Sequence, residues 1–419
     1  MALLEELELP SLDYTDPAMR GDRFHDAMRE LREQAQAGSH GWLATGPFGY
    51  IVLDRESCEF FLRSRSAIFP GLKIAEIFDV TEGPLYEQML RNILHVNGAD
   101  HSRLRSLVNP ALSPRAVERY RPVMREFLQE LYAPVAGAGR CEFVEAFAKP
   151  YPSQMIAKVM GAPQEDAPRL HHWSNWIQRQ FDAVSMAEQR EQIEQAVDEF
   201  YRYATGLLHA RRLSPGEDLI STLIAATNPD AANGENDRLS DVECVNLVFN
   251  VLAGGVDTTQ SQLAHAIRLF SEHPDQWELL AAKPELAEQA VEEALRFEPI
   301  TPFTARIVTE EIVYRDVVFP EGTIVMVCAF TGNRDLPDGA GDPECFDITV
   351  DRGGARALAF GAGVHYCLGA NLARLELTEA LTYLAPRMKG LCADGEPVYE
   401  GITGIYGLAE LPIRFSTKK

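Results

Sequence analysis

Residues 360–374, FGAGVHYCLGANLAR, set one cysteine between a loop holding two closely spaced glycines and a run of strong helix formers, an order few folds can accept. Gly361 and Gly363 let the backbone bend tightly ahead of Cys367, and LGANLARLELTEALTYLA after it reads as a helix. The sulfur is therefore expected at a positive helix end, where a thiol ionises more readily and loop N–H groups can hold the anion. Gly369 allows something flat to come close. A lone cysteine is more often an inert, buried small hydrophobe, so the rest of the chain decides whether Cys367 is a ligand.

The seven cysteines do not cluster. They lie at 58, 141, 244, 328, 345, 367 and 392, and the nearest two, Cys328 and Cys345, are 17 positions apart, which excludes zinc ribbons and bacterial iron–sulfur runs. Their odd number fits a reducing compartment. No GxxxxGK, HExxH or GxSxG pattern occurs, removing the common phosphate-loop, zinc-protease and hydrolase readings. A net charge of −23 opposes a nucleic-acid partner or an anionic membrane surface. The opening MALLEELELP mixes acids with its leucines and matches neither a signal peptide nor a membrane anchor, so the cytoplasm is the expected location.

Periodicity gives a mainly α chain with a small β region. Amphipathic helices are expected over Asp22–Gln36, His101–Leu112, Pro114–Ala136, Gln164–Phe181, Ala187–Arg212 and Pro284–Phe297. Strands are expected in Trp42–Leu53 and in Thr304–Val327, where β-branched residues flank a Pro-Glu-Gly turn. The polar runs Asn228–Ser240 and Gly332–Pro343 read as surface loops rather than linkers, leaving one domain over residues 1–419.

A helix from Asp241 to about Ser271, opened by the capping-box pair Ser240 and Glu243, is much longer than average. Gly254 and Gly255 sit in its middle, ahead of Val256-Asp257-Thr258-Thr259, although each interior glycine costs about 1 kcal/mol relative to alanine. The Thr258 hydroxyl can reach the Gly254 carbonyl, bending the helix and opening a groove. Taken alone, paired glycines more often mark a helix crossing.

Taken together, Phe360, the glycines, His365, Cys367 and Arg374 resemble the haem-binding loop of the cytochrome P-450 family, and AGGVDTT resembles that family's oxygen-activating helix. Glu293 and Arg296 match its ExxR pair, and Asn333-Arg334-Asp335 with Asp342-Pro343 and Phe346-Asp347 match its meander. Cys345 stands where the family often has arginine, leaving the third member of the Glu293 and Arg296 network unassigned. The likeness runs in order from about His101 to Arg374.

That resemblance implies the P-450 fold, a long central helix over a haem with the cysteine loop below. It implies haem b (iron protoporphyrin IX) with Cys367 on the iron, O2 as co-substrate, and Thr258 and Asp257 as the alcohol and acid of proton delivery. Phe360, Gly361 and Gly369 would line the cofactor, and His101, Arg105, Arg306 and His365 would hold its propionates. The implied reaction inserts one oxygen atom into a C–H bond of a medium-sized hydrophobic organic small molecule, or is a related oxidation. Electrons would come from a ferredoxin and an NAD(P)H-dependent ferredoxin reductase, with arginines 103, 115, 119, 121 and 125 as a docking patch. A monomer is expected. A peroxide-driven peroxygenase and a non-catalytic haem sensor are the alternatives. Pro70–Asn97, Trp173–Phe181, Asn250 with Ala253, Ile300–Phe303 and Ile402–Tyr406 are the candidate substrate-lining segments.

Overall fold

The computed structural model describes residues 2–227, 238–352, 354, 356–401 and 404–416. Most of the Asn228–Ser240 run, and Ile402 and Thr403 of the last substrate-lining segment, lie outside them. The chain forms two compact units, each assembled from separated stretches: Met1–Pro70, Gln289–Cys367 and Val398–Ala409 in the first, and Gly71–Glu288, Leu368–Pro397 and Glu410–Lys419 in the second.

The first unit is built on the strands read from the β-branched segments. Ile324–Cys328 runs antiparallel to Phe303–Val308 and parallel to Gly49–Val52, which folds back on Leu43–Gly46, and Ala67–Ile68 completes a five-stranded sheet. Alternation along these strands makes two apolar layers. Leu43, Val52, Val325 and Val327 join one cluster with Phe61 and Phe319; Ala44, Ile51, Met326 and Cys328 join the other with Phe24 and Phe330. Gly49 is required: its φ is +142°, and a Cβ there would stand 2.3 Å from the Ile324 carbonyl oxygen. The Pro-Glu-Gly turn forms as read, Thr323 N–H donating to Pro320 O at 3.1 Å.

The second unit is mainly helical, with a three-stranded sheet of Arg140–Glu142, Pro412–Ser416 and Lys389–Ala393. The stretch expected as one helix over Pro114–Ala136 is broken into Pro114–Val117, a tight turn, and Arg121–Tyr132, because Pro122 cannot sit in a helix interior but suits a first turn. Pro150–Met160 is a helix that periodicity misses. It is buried on nearly every side, so its polar face narrows to Gln154 and Lys158 and gives little period. The long helix is two, Asp241–Gly255 and Asp257–Glu272, parted at Val256, and its Ser240–Glu243 capping box is present.

Candidate haem-thiolate site

In the first unit the Cys367 loop is closed by its own backbone. Cys367 N–H donates to Phe360 O at 2.9 Å, Gly361 N–H to Leu358 O at 2.8 Å, and Tyr366 N–H to Gly363 O at 3.1 Å. Gly361 and Gly363 have φ of +67° and +71°, the left-handed region where a side chain is strained. Gly363 has a second reason, since a Cβ there would come within 2.8 Å of Leu62 O. The meander anchors the loop: buried Asn333 accepts the Leu358 N–H at 2.7 Å, and Asp335 accepts the Arg55 N–H at 2.9 Å. Gly332–Arg334, expected in a surface loop, is therefore buried, because the asparagine must lie inside to reach its partner.

Arg306 lies in the same unit, on Phe303–Val308, and is only 4% exposed. Its guanidinium donates to the neighbouring Ala305 carbonyl at 2.8 Å, and no carboxylate pairs with it among the described residues. Burial alone pushes its guanidinium down to about 10. A buried cation without an anion is costly unless a ligand brings one, and a ring with carboxylate arms fits that need.

In the second unit His101 and Arg105 sit one turn apart on Gly98–Val108, Arg105 Nε donating to His101 Nε2 at 3.3 Å. Burial first, and the Arg105 charge second, press the imidazole down to about 4. His101 is thus neutral at pH 7, a hydrogen-bond donor rather than a cation. Gly369 caps the helix Ala370–Leu384, and a Cβ on it would meet no heavy atom within 4 Å; the same holds at Gly361 in the first unit. No protein neighbour demands glycine at Gly369, so a flat group at that point fits.

The helix break carries the densest chemistry. Parting the ladder at Val256 orphans the preceding carbonyls, and side chains take them over. Ser174 Oγ approaches Leu252 O at 3.4 Å, Gln178 Nε2 donates to Ala253 O, and Thr258 Oγ1 donates to Gly254 O. The two glycines divide the readings between them. A Cβ on Gly255 would press on Ile156 at 2.4 Å, a helix crossing, whereas one on Gly254 would meet nothing within 4 Å. Asp257 is 6% exposed, and its Oδ2 accepts from Ser174 Oγ at 2.6 Å. Burial raises its carboxyl above the usual range, while Ser174, His171 and Asn175 pull the other way.

Glu293 and Arg296 form a buried two-point pair, Nε to Oε2 at 2.7 Å and Nη2 to Oε1 at 2.8 Å. The unassigned third member is Arg352, whose Nη2 reaches Glu293 Oε1 at 2.6 Å and whose Nη1 holds the Ala340 and Asp342 carbonyls. Cys345, before Phe346, contributes only its backbone carbonyl, which accepts from Arg296 and Arg352 at 2.9 Å each. A carboxylate this buried needs a second guanidinium, and Arg352, six positions beyond Phe346, supplies it. Burial pushes the Glu293 carboxyl up, but Arg296, Arg352 and the Asp347 N–H outweigh it and leave it below its ordinary value.

The arginine patch of the second unit is mostly neutralised. Arg103 pairs with Glu243 at 2.7 Å, Arg125 with Glu379 at 2.6 Å, and Arg121 with both Glu118 and Glu379. Arg119 donates to the Tyr120 hydroxyl at 2.9 Å. No ion pair involves Arg115 among the described residues. None of the described helices is long and apolar enough to cross a membrane.

The family model for Cytochrome P450 matches residues 20–387. Luteothin monooxygenase of Streptomyces thioluteus is 34% identical over 97% of this chain and 96% of its own. Mycinamicin IV hydroxylase/epoxidase of Micromonospora griseorubida is 34% identical over 73% of this chain and 74% of its own. Among solved structures, CalO2 superposes with a TM-score of 0.87 at 29% identity, covering 98% of this chain and all of its own. Two of these relatives are by name a monooxygenase and a hydroxylase/epoxidase. The chain belongs to the cytochrome P450 family, and it is a monooxygenase; membership implies a haem cofactor and O2-dependent oxygenation.

Proposed function

We propose that this chain is a haem b monooxygenase with Cys367 as the iron's protein ligand, acting on a medium-sized hydrophobic organic substrate. The observation that carries this is the Cys367 loop, turned by two positive-φ glycines and held by Asn333. When bound, thiolate-ligated haem supplies the activation of O2 that lets one oxygen atom enter a C–H bond while the other leaves as water. Asp257, buried and inclined to keep its proton, stores and delivers it. Thr258 presents the hydroxyl through which that proton passes, parked on Gly254 O at rest. Arg306, Arg105, His101 and His365 would hold the propionates, and Phe360, Gly361 and Gly369 would lie against the ring.

The relatives named as a luteothin monooxygenase and a mycinamicin IV hydroxylase/epoxidase support oxygenation of an organic substrate. Electrons come from a ferredoxin and an NAD(P)H-dependent ferredoxin reductase; the whole chain works as one cytoplasmic, monomeric domain. A peroxygenase has no need of delivered protons, so the buried Asp257 beside Thr258 opposes that reading, as it opposes a sensor. The test is a panel of hydrophobic compounds screened for a Soret shift, followed by turnover: substrate-dependent NAD(P)H and O2 consumption with an oxygenated product is expected. Faster turnover with peroxide than with ferredoxin would favour the peroxygenase, and no product across the panel would favour the sensor.

Two variants extend it. Arg306→Leu removes the unpaired buried cation, so the apoprotein should be at least as stable while haem passes to apomyoglobin about tenfold faster or more, as loss of one charged hydrogen bond predicts. Unchanged retention would remove Arg306 from the propionate site. Arg115→Glu should slow ferredoxin-driven reduction at low salt, with the effect fading as salt is raised; an unchanged rate and salt dependence would discard this surface.

A further inference from the structure

The helix Ala167–Gln178 presents His171, Ser174, Asn175 and Gln178 at spacings of three and four, one face of a helix. That face is polar where it meets the break. His171 Nε2 donates to Gln260 Oε1 at 2.9 Å, one turn past Asp257; Ser174 holds Asp257 Oδ2; Gln178 holds Ala253 O. Ser174 is wholly buried and His171 half-buried, so the row runs from the outside of the unit towards the carboxyl. A buried serine and a half-buried glutamine facing an apolar helix would be costly unpaired, yet each has found a group that the break exposes.

We propose that Ser174 is the positioning residue of Asp257, and that His171 is the titratable neighbour whose charge governs proton uptake by that carboxyl. The proposal rests on the reading of Asp257 as the acid. The step is a proton transfer only: solvent on the His171 side loses a proton, the Asp257 carboxylate gains it, and no electrons move. Ser174 keeps Oδ2 turned towards that side, its hydroxyl rotating as the carboxyl changes state. The groups around the carboxyl are His171, Ser174 and Asn175 from one helix and Gln260 from its own, while Pro150–Met160 brings apolar Ile156 against the same break. His171 is thus a side chain there whose charge acts on Asp257. Both Ser174 and His171 draw the carboxyl down against burial, so losing either should move its titration up.

The test follows the protonated carboxyl band in infrared difference spectra of the ferric holoenzyme, assigned by its loss in Asp257→Asn, together with the solvent isotope effect on product formation. Ser174→Ala should move the band's titration to higher pH, enlarge the isotope effect, and lower product per NAD(P)H about tenfold, a part of the hundredfold an acid catalyst typically gives. Ser174→Thr, which keeps the hydroxyl, should restore all three. His171→Gln should move the titration the same way with the fold intact, which keeps the proposal testable if Ser174→Ala folds poorly. Titration and isotope effect unchanged in both variants would overturn the proposal. Full product and an unchanged isotope effect in Asp257→Asn would overturn the reading of Asp257 itself, a separate result.

Discussion

Thr258→Ala is expected to leave a folded, haem-loaded protein that consumes NAD(P)H and O2 but forms about a hundredfold less product, the size of a lost proton-delivery group. The two roles of the hydroxyl differ in magnitude, and this separates them. Its bond to Gly254 O is one neutral hydrogen bond, and losing it costs about 1 kcal/mol of stability, since the break already survives with two other carbonyls held from elsewhere. Its chemical role has no substitute on the helix. Thermal unfolding should therefore shift little while product per NAD(P)H collapses and peroxide accumulates. Thr258→Ser keeps the oxygen and should retain most of the coupling. A Thr258→Ala protein that makes product at the parent rate would show that the proton arrives without this hydroxyl.

Glu293→Gln should be the most damaging change outside the haem loop. It leaves Arg296 and Arg352 as buried cations facing an amide, and breaking a buried ion pair on one side costs about 3–5 kcal/mol, a large share of the net stability of most proteins. Arg352 also holds the Ala340 and Asp342 carbonyls, so the meander that anchors Leu358, and with it the Cys367 loop, should loosen. Low yield of folded protein and rapid haem loss are expected. The pH dependence has a definite sign. The Glu293 carboxyl is held below its ordinary value of 4.5 when folded, so its contribution is complete above that pH and is lost as pH falls below it. In urea titrations the parent should weaken below about pH 4.5, and the variant should lack that part of the acid sensitivity. Equal stability of the two at pH 7 would show that the network is dispensable.

The parts of this molecule that the sequence exposes are those where backbone conformation or periodicity forces a residue type. Gly361 and Gly363 had to be glycine, the capping box named its own helix start, and the β-branched runs alternated into two core layers. The hydroxyl of Thr258 on Gly254 O followed from a four-residue spacing. Elsewhere the pattern is silent. The helix Pro150–Met160 turns little more than Gln154 and Lys158 outward, and Pro122 divides a stretch whose periodicity runs on across it. Long-range pairing is invisible in the same way. Arg352 meets Glu293 from 59 positions away, and Ser174 meets Asp257 from 83 away, each solving a burial problem that only the folded chain poses. Charge counts mislead for a related reason: a run of arginines looks basic until Glu118, Glu243 and Glu379 are seen beside it.

Cys367 remains the residue on which the rest depends. Its loop is shaped by glycines, tied to Phe360 and anchored through Asn333, and a single thiolate there would fix both the iron's position and its reactivity. The most direct measurement is the carbon monoxide difference spectrum of the reduced protein beside that of Cys367→Ala. The parent should show the strongly red-shifted Soret band of a thiolate-ligated haem, and the variant should lose it even where haem is retained. A red-shifted band that survives in Cys367→Ala would contradict the account.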